Sequence, residues 1–187
     1  MKDKYIFLDM DGVIIVEKDL LYKKEDVELL PRSDEAIKLL NNNNYRPIVI
    51  TNKPIVARGL CSFDDVIELH SYIEGILAKK NAKIEKIYFC PHHPKKGDNP
   101  QYTRECECRK PKAGMIFEAR RDYGIDDLSS CYVIGDKTSD ILAGKNAGCR
   151  TILVKTGYGG DDGFKDATPD YEARDLYEAV QNIVLKK

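Results

Sequence analysis

Five short apolar runs, four of them ending in an acid, a hydroxyl, a cysteine or a glycine and the fifth in Lys-Thr-Gly, constrain the fold of this chain more than any other feature. They are Tyr5-Ile6-Phe7-Leu8 before Asp9, Pro47-Ile48-Val49-Ile50 before Thr51-Asn52, and Lys86-Ile87-Tyr88-Phe89 before Cys90. Tyr132-Val133-Ile134 precedes Gly135-Asp136, and Thr151-Ile152-Leu153-Val154 precedes Lys155-Thr156-Gly157. The runs are continuous rather than alternating, as expected of parallel strands buried on both faces. Segments of helical period lie between them. Ser33 is placed to cap a helix bearing Ala36, Leu39 and Leu40, which Asn41 to Asn44 would stop. Ser62 is placed to cap another, with Val66, Leu69, Ile73, Ile76 and Leu77 on one face. Residues 113–123 group Ile116, Ala119 and Tyr123 ahead of a terminating Gly124. Residues 138–147 form a short helix, and residues 175–186 carry a stripe of Leu176, Ala179, Val180, Ile183 and Val184. The alternation predicts an α/β fold built on a doubly wound, mostly parallel sheet.

Three segments fit neither period. Residues 12–31 read as a hairpin or flap, residues 90–112 as a polar loop rich in Pro, Lys and Cys, and residues 157–170 as a Gly- and Asp-rich stretch. No repeat, linker or insertion long enough for a separate cap domain interrupts the 187 residues, so one domain over 1–187 is expected. A chain of this size has a sufficient core without disulfide staples. With 30 Lys and Arg against 31 Asp and Glu, it lacks the basic excess of a nucleic-acid binder. No apolar run is long enough to span a membrane, and residues 1–10 carry no secretion signal. A cytoplasmic monomer with no nucleic-acid or membrane partner is the expectation.

Ligands of open α/β sheets bind beyond the carboxyl ends of the strands. The residues there are Asp9, Asp11, Thr51, Asn52, Asp136 and Asp140, with Arg109 and Lys110 on the long loop. Carboxylates converging from separate strand ends repel one another and call for a cation. Hard oxygen ligands in small number suit Mg²⁺, which fills its remaining positions with water and substrate phosphate. Thr51, Asn52, Arg109 and Lys110 add donors suited to phosphate oxygens. A second cluster is Cys90-Pro91-His92-His93-Pro94 followed by Cys106-Glu107-Cys108. Three thiolates and one imidazole suit a closed, structural Zn²⁺ site, here Cys90, His92, Cys106 and Cys108. Spacing leaves His93 as an alternative to His92.

Asp9-Met10-Asp11-Gly12-Val13, Thr51, Lys110 before Pro111, and Gly135-Asp136-Lys137-Thr138-Ser139-Asp140 occur in the order of four motifs. Together they resemble the signature of the haloacid dehalogenase (HAD) superfamily. The resemblance implies that Asp9 is a nucleophile forming an aspartyl phosphate and that Asp11 is the general acid and base. It implies Mg²⁺ held by Asp9, the backbone carbonyl of Asp11 and Asp136, with Asp140 orienting its neighbours. Thr51 and Lys110 would stabilise the transferring phosphoryl group. A capless member whose zinc loop runs into Cys108-Arg109-Lys110-Pro111 resembles the D,D-heptose 1,7-bisphosphate phosphatases. The phosphatase domain of histidinol-phosphate enzymes is a near relative.

That narrower resemblance implies Mg²⁺-dependent removal of the 7-phosphate of a phosphorylated sugar, D-glycero-D-manno-heptose 1,7-bisphosphate. Arg109 would bind the distal part of the substrate, with Asn52, Lys53, Arg58 and Lys137 as further contacts. Heptose phosphatases usually have Arg where this chain has Met10, and Thr-Asn where it has residues 13–15. They read Thr-Asn-Gln-Ser-Gly where it has Thr51-Asn52-Lys53-Pro54-Ile55, while Ala57-Arg58-Gly59 matches. Histidinol-phosphate hydrolysis, another small sugar-phosphate phosphatase and a non-catalytic HAD-fold binding protein are the competing expectations. His70 reads as a core histidine, Cys61, Cys131 and Cys149 as buried hydrophobes, and Gly157 to Gly160 as a mobile turn rather than a phosphate cradle.

Overall fold

A computed structural model describes residues 4–163 and 167–186. Within them the five apolar runs are parallel strands: β1 (Lys4–Leu8), β2 (Tyr45–Asn52), β3 (Lys86–Cys90), β4 (Tyr132–Gly135) and β5 (Arg150–Val154). A sixth, β6 (Tyr171–Ala173), completes the order β3-β2-β1-β4-β5-β6, also in parallel. Successive side chains point to opposite faces. Ile6 and Leu8 therefore enter one core with Ile37, Leu40, Val49 and Ile134. Tyr5 and Phe7 enter the other with Ile48, Ile50, Ile116 and Val133. Helices α1 (Ser33–Asn42), α2 (Phe63–Lys79), α3 (Gly114–Tyr123), α4 (Thr138–Ala147) and α5 (Leu176–Ala179) cover the two faces, and α5 continues as a π turn over Val180–Val184. No helix among the described residues is long and apolar enough to cross a membrane.

Several local expectations hold. Ser62 caps α2 in a reciprocal box with Asp65, and Gly124 ends α3 in a left-handed conformation. Ser33 does not cap α1. Its N–H donates to the Leu30 carbonyl across Pro31 and a left-handed Arg32, the geometry of a type II turn, which draws Ser33 into the helix. β6 was not foreseen because it is a three-residue edge strand with Tyr171 and Glu172 exposed and no apolar run to announce it. The start of the Gly- and Asp-rich stretch is ordered against the strand ends, and residues 164–166 of it lie outside the described residues. The segment after β1 forms a hairpin-like arm. Val16 donates to the Glu28 carbonyl, Leu30 donates to that of Ile14, and Val13 to Ile15 are buried.

His70 is a core residue, 5% exposed and edge-on to Phe89. Burial, with Lys53 nearby, pushes its pKa down to about 3. The unfolded chain takes up this proton near the ordinary value of about 6.5, and the folded chain does not. Stability is therefore lost as pH falls from about 6.5 toward 3, by up to about 1.4 kcal/mol per pH unit from this group. Between about pH 7 and 4.5 the wild type should lose about 2 kcal/mol more unfolding free energy than His70→Gln in denaturant titrations. Equal losses would mean His70 is not the source.

Candidate active site

The strand order reverses at β1, flanked by β2 and β4, and the crevice beyond their carboxyl ends is the cleft of this fold. It has a volume of about 470 Å³ and contains Asp9, Asp11, Thr51, Lys53, Lys110 and Asp140. Asp9 is 3% exposed. Its N–H donates to the Ile134 carbonyl of β4, and its Oδ1 accepts from the Met10 N–H at 2.7 Å. Lys110 reaches in from the long loop, with its ammonium 2.9 Å from Asp9 Oδ1, 2.6 Å from Asp140 Oδ1 and 2.8 Å from the Ile50 carbonyl. It donates a hydrogen bond to the Ile50 carbonyl and is ion-paired with the two carboxylates. Burial favours the neutral amine, but Asp140 and Asp9 outweigh it and raise its pKa.

The carboxylates differ in their surroundings. Burial acts to raise the Asp9 pKa, but Lys110 and Lys137 outweigh it and hold the group below its ordinary value. Asp136 is pushed up to about 8 by burial and by Asp9 and Asp140. Asp140 is pushed up to about 7 by burial and Asp9. Oxygens of Asp9, Asp136 and Asp140 lie within 4.8 Å of one another. Asp136 Oδ2 accepts from the Tyr158 N–H at 2.7 Å, whereas its Oδ1 is buried without a partner. Asp140 is committed elsewhere, to Lys110 and, through Oδ2, to the Lys137 N–H. Excess negative charge and an orphaned carboxylate oxygen fit a divalent cation between Asp9 and Asp136.

Glycines admit the loops that hold Asp136. Gly12 has φ +80°, Gly157 has φ +59°, and a Cβ on either would collide with the Asp136 carboxylate. The Gly157–Gly160 turn is thus a clamp on Asp136, which receives the Tyr158 N–H on its carboxylate and the Gly160 N–H on its carbonyl. Asp162 follows, accepting from Ser139 N–H and from both the N–H and hydroxyl of Thr138 at the start of α4.

The structure redistributes the expected substrate contacts. Asn52 lines the cleft, but its amide holds the Lys110 backbone by reciprocal bonds of 3.1 and 3.2 Å. The Lys53 ammonium binds both oxygens of Asp11, at 2.8 and 2.6 Å. Lys137 faces the cleft but pairs with Glu17 at 2.6 Å and lies over the Tyr158 ring. Burial opposes its charge, and Asp9 and Glu17 outweigh it. Arg109 lines the cleft and donates to the His92 carbonyl at 3.1 Å. Arg58 is not on the cleft wall. It sits in the loop beneath residues 97–99, where Asn99 bonds the Ala57 carbonyl. Glu17, Asp19, Arg104, Tyr158 and Asp162 line the cleft without a sequence signal of their own, since they sit on loops.

Cys90, His92, Cys106 and Cys108 form one cluster. The sulfurs lie 3.1, 3.5 and 3.5 Å apart, with His92 Nδ1 at 3.7 and 3.5 Å from Cys90 and Cys108. A disulfide needs sulfurs about 2.05 Å apart. Zn–S bonds of about 2.3 Å in a tetrahedron place sulfurs about 3.8 Å apart, and the sulfurs here, somewhat closer than that, with His92 as the fourth donor, are compatible with a zinc site. His93 is turned away, accepting on Nδ1 from the N–H groups of Lys95 and Lys96. The cluster touches the cleft directly. The Cys90 carbonyl takes the Lys53 N–H at 2.8 Å, His92 anchors Arg109, and Cys108 is two residues from Lys110.

Comparison with known proteins places this geometry in a family. Residues 107–179 match the model of HAD-hydrolase-like proteins. A D-glycero-D-manno-heptose-1,7-bisphosphate 7-phosphatase of Chlorobaculum tepidum is 35% identical over 97% of this chain and 94% of its own. A D-glycero-alpha-D-manno-heptose-1,7-bisphosphate 7-phosphatase of Photorhabdus laumondii is 42% identical over 84% of this chain and 85% of its own. The crystal structure of the D,D-heptose 1,7-bisphosphate phosphatase of B. bronchiseptica, complexed with magnesium and phosphate, superposes with a TM-score of 0.82. It is 31% identical and covers 97% of this chain and 98% of that one. Matches of this identity over most of both chains, on the same fold, mean that the chain belongs to the heptose-1,7-bisphosphate 7-phosphatase family of HAD-like hydrolases.

Proposed function

We propose that the protein is a single-domain phosphatase that removes the 7-phosphate of D-glycero-D-manno-heptose 1,7-bisphosphate. The observation that carries the reaction class is the buried Lys110 ammonium between Asp9 and Asp140, beside the orphaned Asp136 oxygen. Asp9, the Asp11 carbonyl and Asp136 would hold Mg²⁺. When bound, it supplies positive charge to the phosphoryl oxygens.

An Asp9 oxygen attacks phosphorus, the bond from phosphorus to the sugar oxygen breaks, and Asp11, which takes up a proton before this step and enters it as the carboxylic acid, gives that proton to the sugar oxygen. Water then attacks the aspartyl phosphate and loses a proton to Asp11, and the bond from phosphorus to Asp9 breaks. Asp9 and the acid are regenerated, and inorganic phosphate leaves. Lys110 and Thr51 stabilise charge on the phosphoryl oxygens throughout.

Substrate choice rests on the zinc-loop wall of the cleft, which contributes Arg104, Arg109 and Lys112. Lys112 is paired with Glu107 at 2.8 Å, and the two arginines attract a second phosphate and repel the ammonium of histidinol phosphate. Of the other cleft acids on flanking loops, Glu17 is engaged with Lys137, Asp19 with the Tyr158 hydroxyl and Asp162 with α4, while Glu105 lies beside Arg104 on the zinc-loop wall. Turnover of both heptose bisphosphate anomers and of histidinol phosphate, each with Mg²⁺, tests this assignment. At least one heptose anomer should have a kcat/KM about tenfold or more above histidinol phosphate, the scale of one lost charge-assisted contact. The reverse ranking would favour histidinol-phosphate hydrolysis.

A further inference from the structure

Lys53 departs, with Pro54 and Ile55, from the pattern the family resemblance implies after β2. Thr51 and Lys53 are two apart on an extended segment and point to the same side. Thr51 Oγ1 is 3.4 Å from Asp11 Oδ2. The Lys53 ammonium contacts Asp11 Oδ1 at 2.8 Å and Oδ2 at 2.6 Å, and Lys53 is 3% exposed. Its backbone is fixed as tightly, because its N–H donates to the carbonyl of Cys90 at 2.8 Å. A buried lysine is costly unless its charge is paired in good geometry. Here both oxygens of one carboxylate supply that pairing.

We propose that Lys53 is a positioning residue for Asp11. Asp11 lies beyond the end of β1, where its carboxylate has two free torsions and no strand ladder to restrain it. The two contacts from Lys53 fix the plane and direction of that carboxylate before substrate enters. The anchor runs through the Lys53 N–H to the first cysteine of the zinc cluster, so the acid is aimed by the same loop that supplies Arg109 and Lys110. The inference rests on Asp11 serving as the acid of the reaction above.

An effect exerted through Asp11 depends on the leaving group. A sugar alkoxide needs the Asp11 proton as its bond to phosphorus breaks, whereas p-nitrophenolate departs without one. Steady-state kcat/KM reports the steps through release of the alcohol, and therefore isolates the acid half of the cycle. With the full chain and Mg²⁺, Lys53→Met should lower kcat/KM for the sugar phosphate about a hundredfold, and for p-nitrophenyl phosphate by less than about threefold. Lys53→Gln keeps one N–H donor and should recover about tenfold of the loss on the sugar phosphate.

Equal losses on the two esters would overturn the proposal, because a contact with the shared phosphoryl group or a general structural role has that signature. No loss on either would overturn it too. If Lys53→Met does not fold, the same two-ester comparison on Lys53→Gln decides it. A wild type that turns over neither ester would overturn the phosphatase assignment itself, an outcome distinct from equal losses in an active enzyme.

Discussion

Asp9→Asn should reduce Mg²⁺-dependent phosphate release at least about a thousandfold, the scale seen when a covalent nucleophile is removed. In the proposed reaction the substitution takes away the attacking carboxylate while keeping the size and planarity of the side chain. The same geometry predicts little cost to the fold. Asp9 is one of three crowded carboxylates, and it raises the pKa of both Asp136 and Asp140. Replacing it by a neutral amide relieves that repulsion, and Lys110 keeps Asp140 at 2.6 Å. The melting temperature of the metal-free variant should therefore equal or exceed that of the wild type, while kcat collapses. Parallel thermal melts and phosphate assays would show the split. A variant retaining normal Mg²⁺-dependent turnover would remove Asp9 from the mechanism.

Removing Cys106 and Cys108 together, as serines, should release about one zinc per chain and lower kcat/KM about tenfold to a hundredfold, typical of losing the shell that orients a site. The reason lies in chain proximity. Arg109 hangs from the His92 carbonyl, Lys110 is held by Asn52 from outside the loop, and the loop has little apolar core of its own. Without the metal, Asn52 and the acceptors of the Lys110 ammonium are the remaining restraints on that lysine. Residues 90–112 should become protease-sensitive while the sheet stays folded. Elemental analysis and limited proteolysis check both parts. Zinc-free protein with a resistant loop would contradict the proposed zinc site.

What could be read from the sequence follows from which signals are local. The inner strands β1, β2, β4 and β5 announced themselves because residues such as Ile6, Phe7 and Leu8 must be apolar on both faces, and edge strand β3 because it still buries Tyr88 and Cys90 within an apolar run. Edge strand β6 has one buried residue, Ala173, and left no such mark. Asp9, Asp11, Thr51 and Asp136 were legible as cleft residues because they lie at or just beyond strand ends, and Lys110, on a loop, only through the order of the motifs. The partners of flexible side chains were not. Asn52 and Lys53 carry donors that suit a phosphate, yet one holds the Lys110 backbone and the other holds Asp11. Gly157 could equally belong to a mobile turn until its close approach to Asp136 is seen. His92 and His93 are chemically equivalent in sequence, and the structure separates them by turning His92 Nδ1 to the cysteine sulfurs while the Lys95 and Lys96 N–H groups occupy His93.

The most direct test follows the reaction by ³¹P NMR, with heptose 1,7-bisphosphate and Mg²⁺, and asks which phosphate leaves. A phosphatase that places the 7-phosphate at Asp9 and the 1-phosphate against Arg109 should yield inorganic phosphate and heptose 1-phosphate, with the anomeric phosphorus signal intact. Accumulation of heptose 7-phosphate, or an unchanged spectrum with active metal-loaded enzyme, would contradict it.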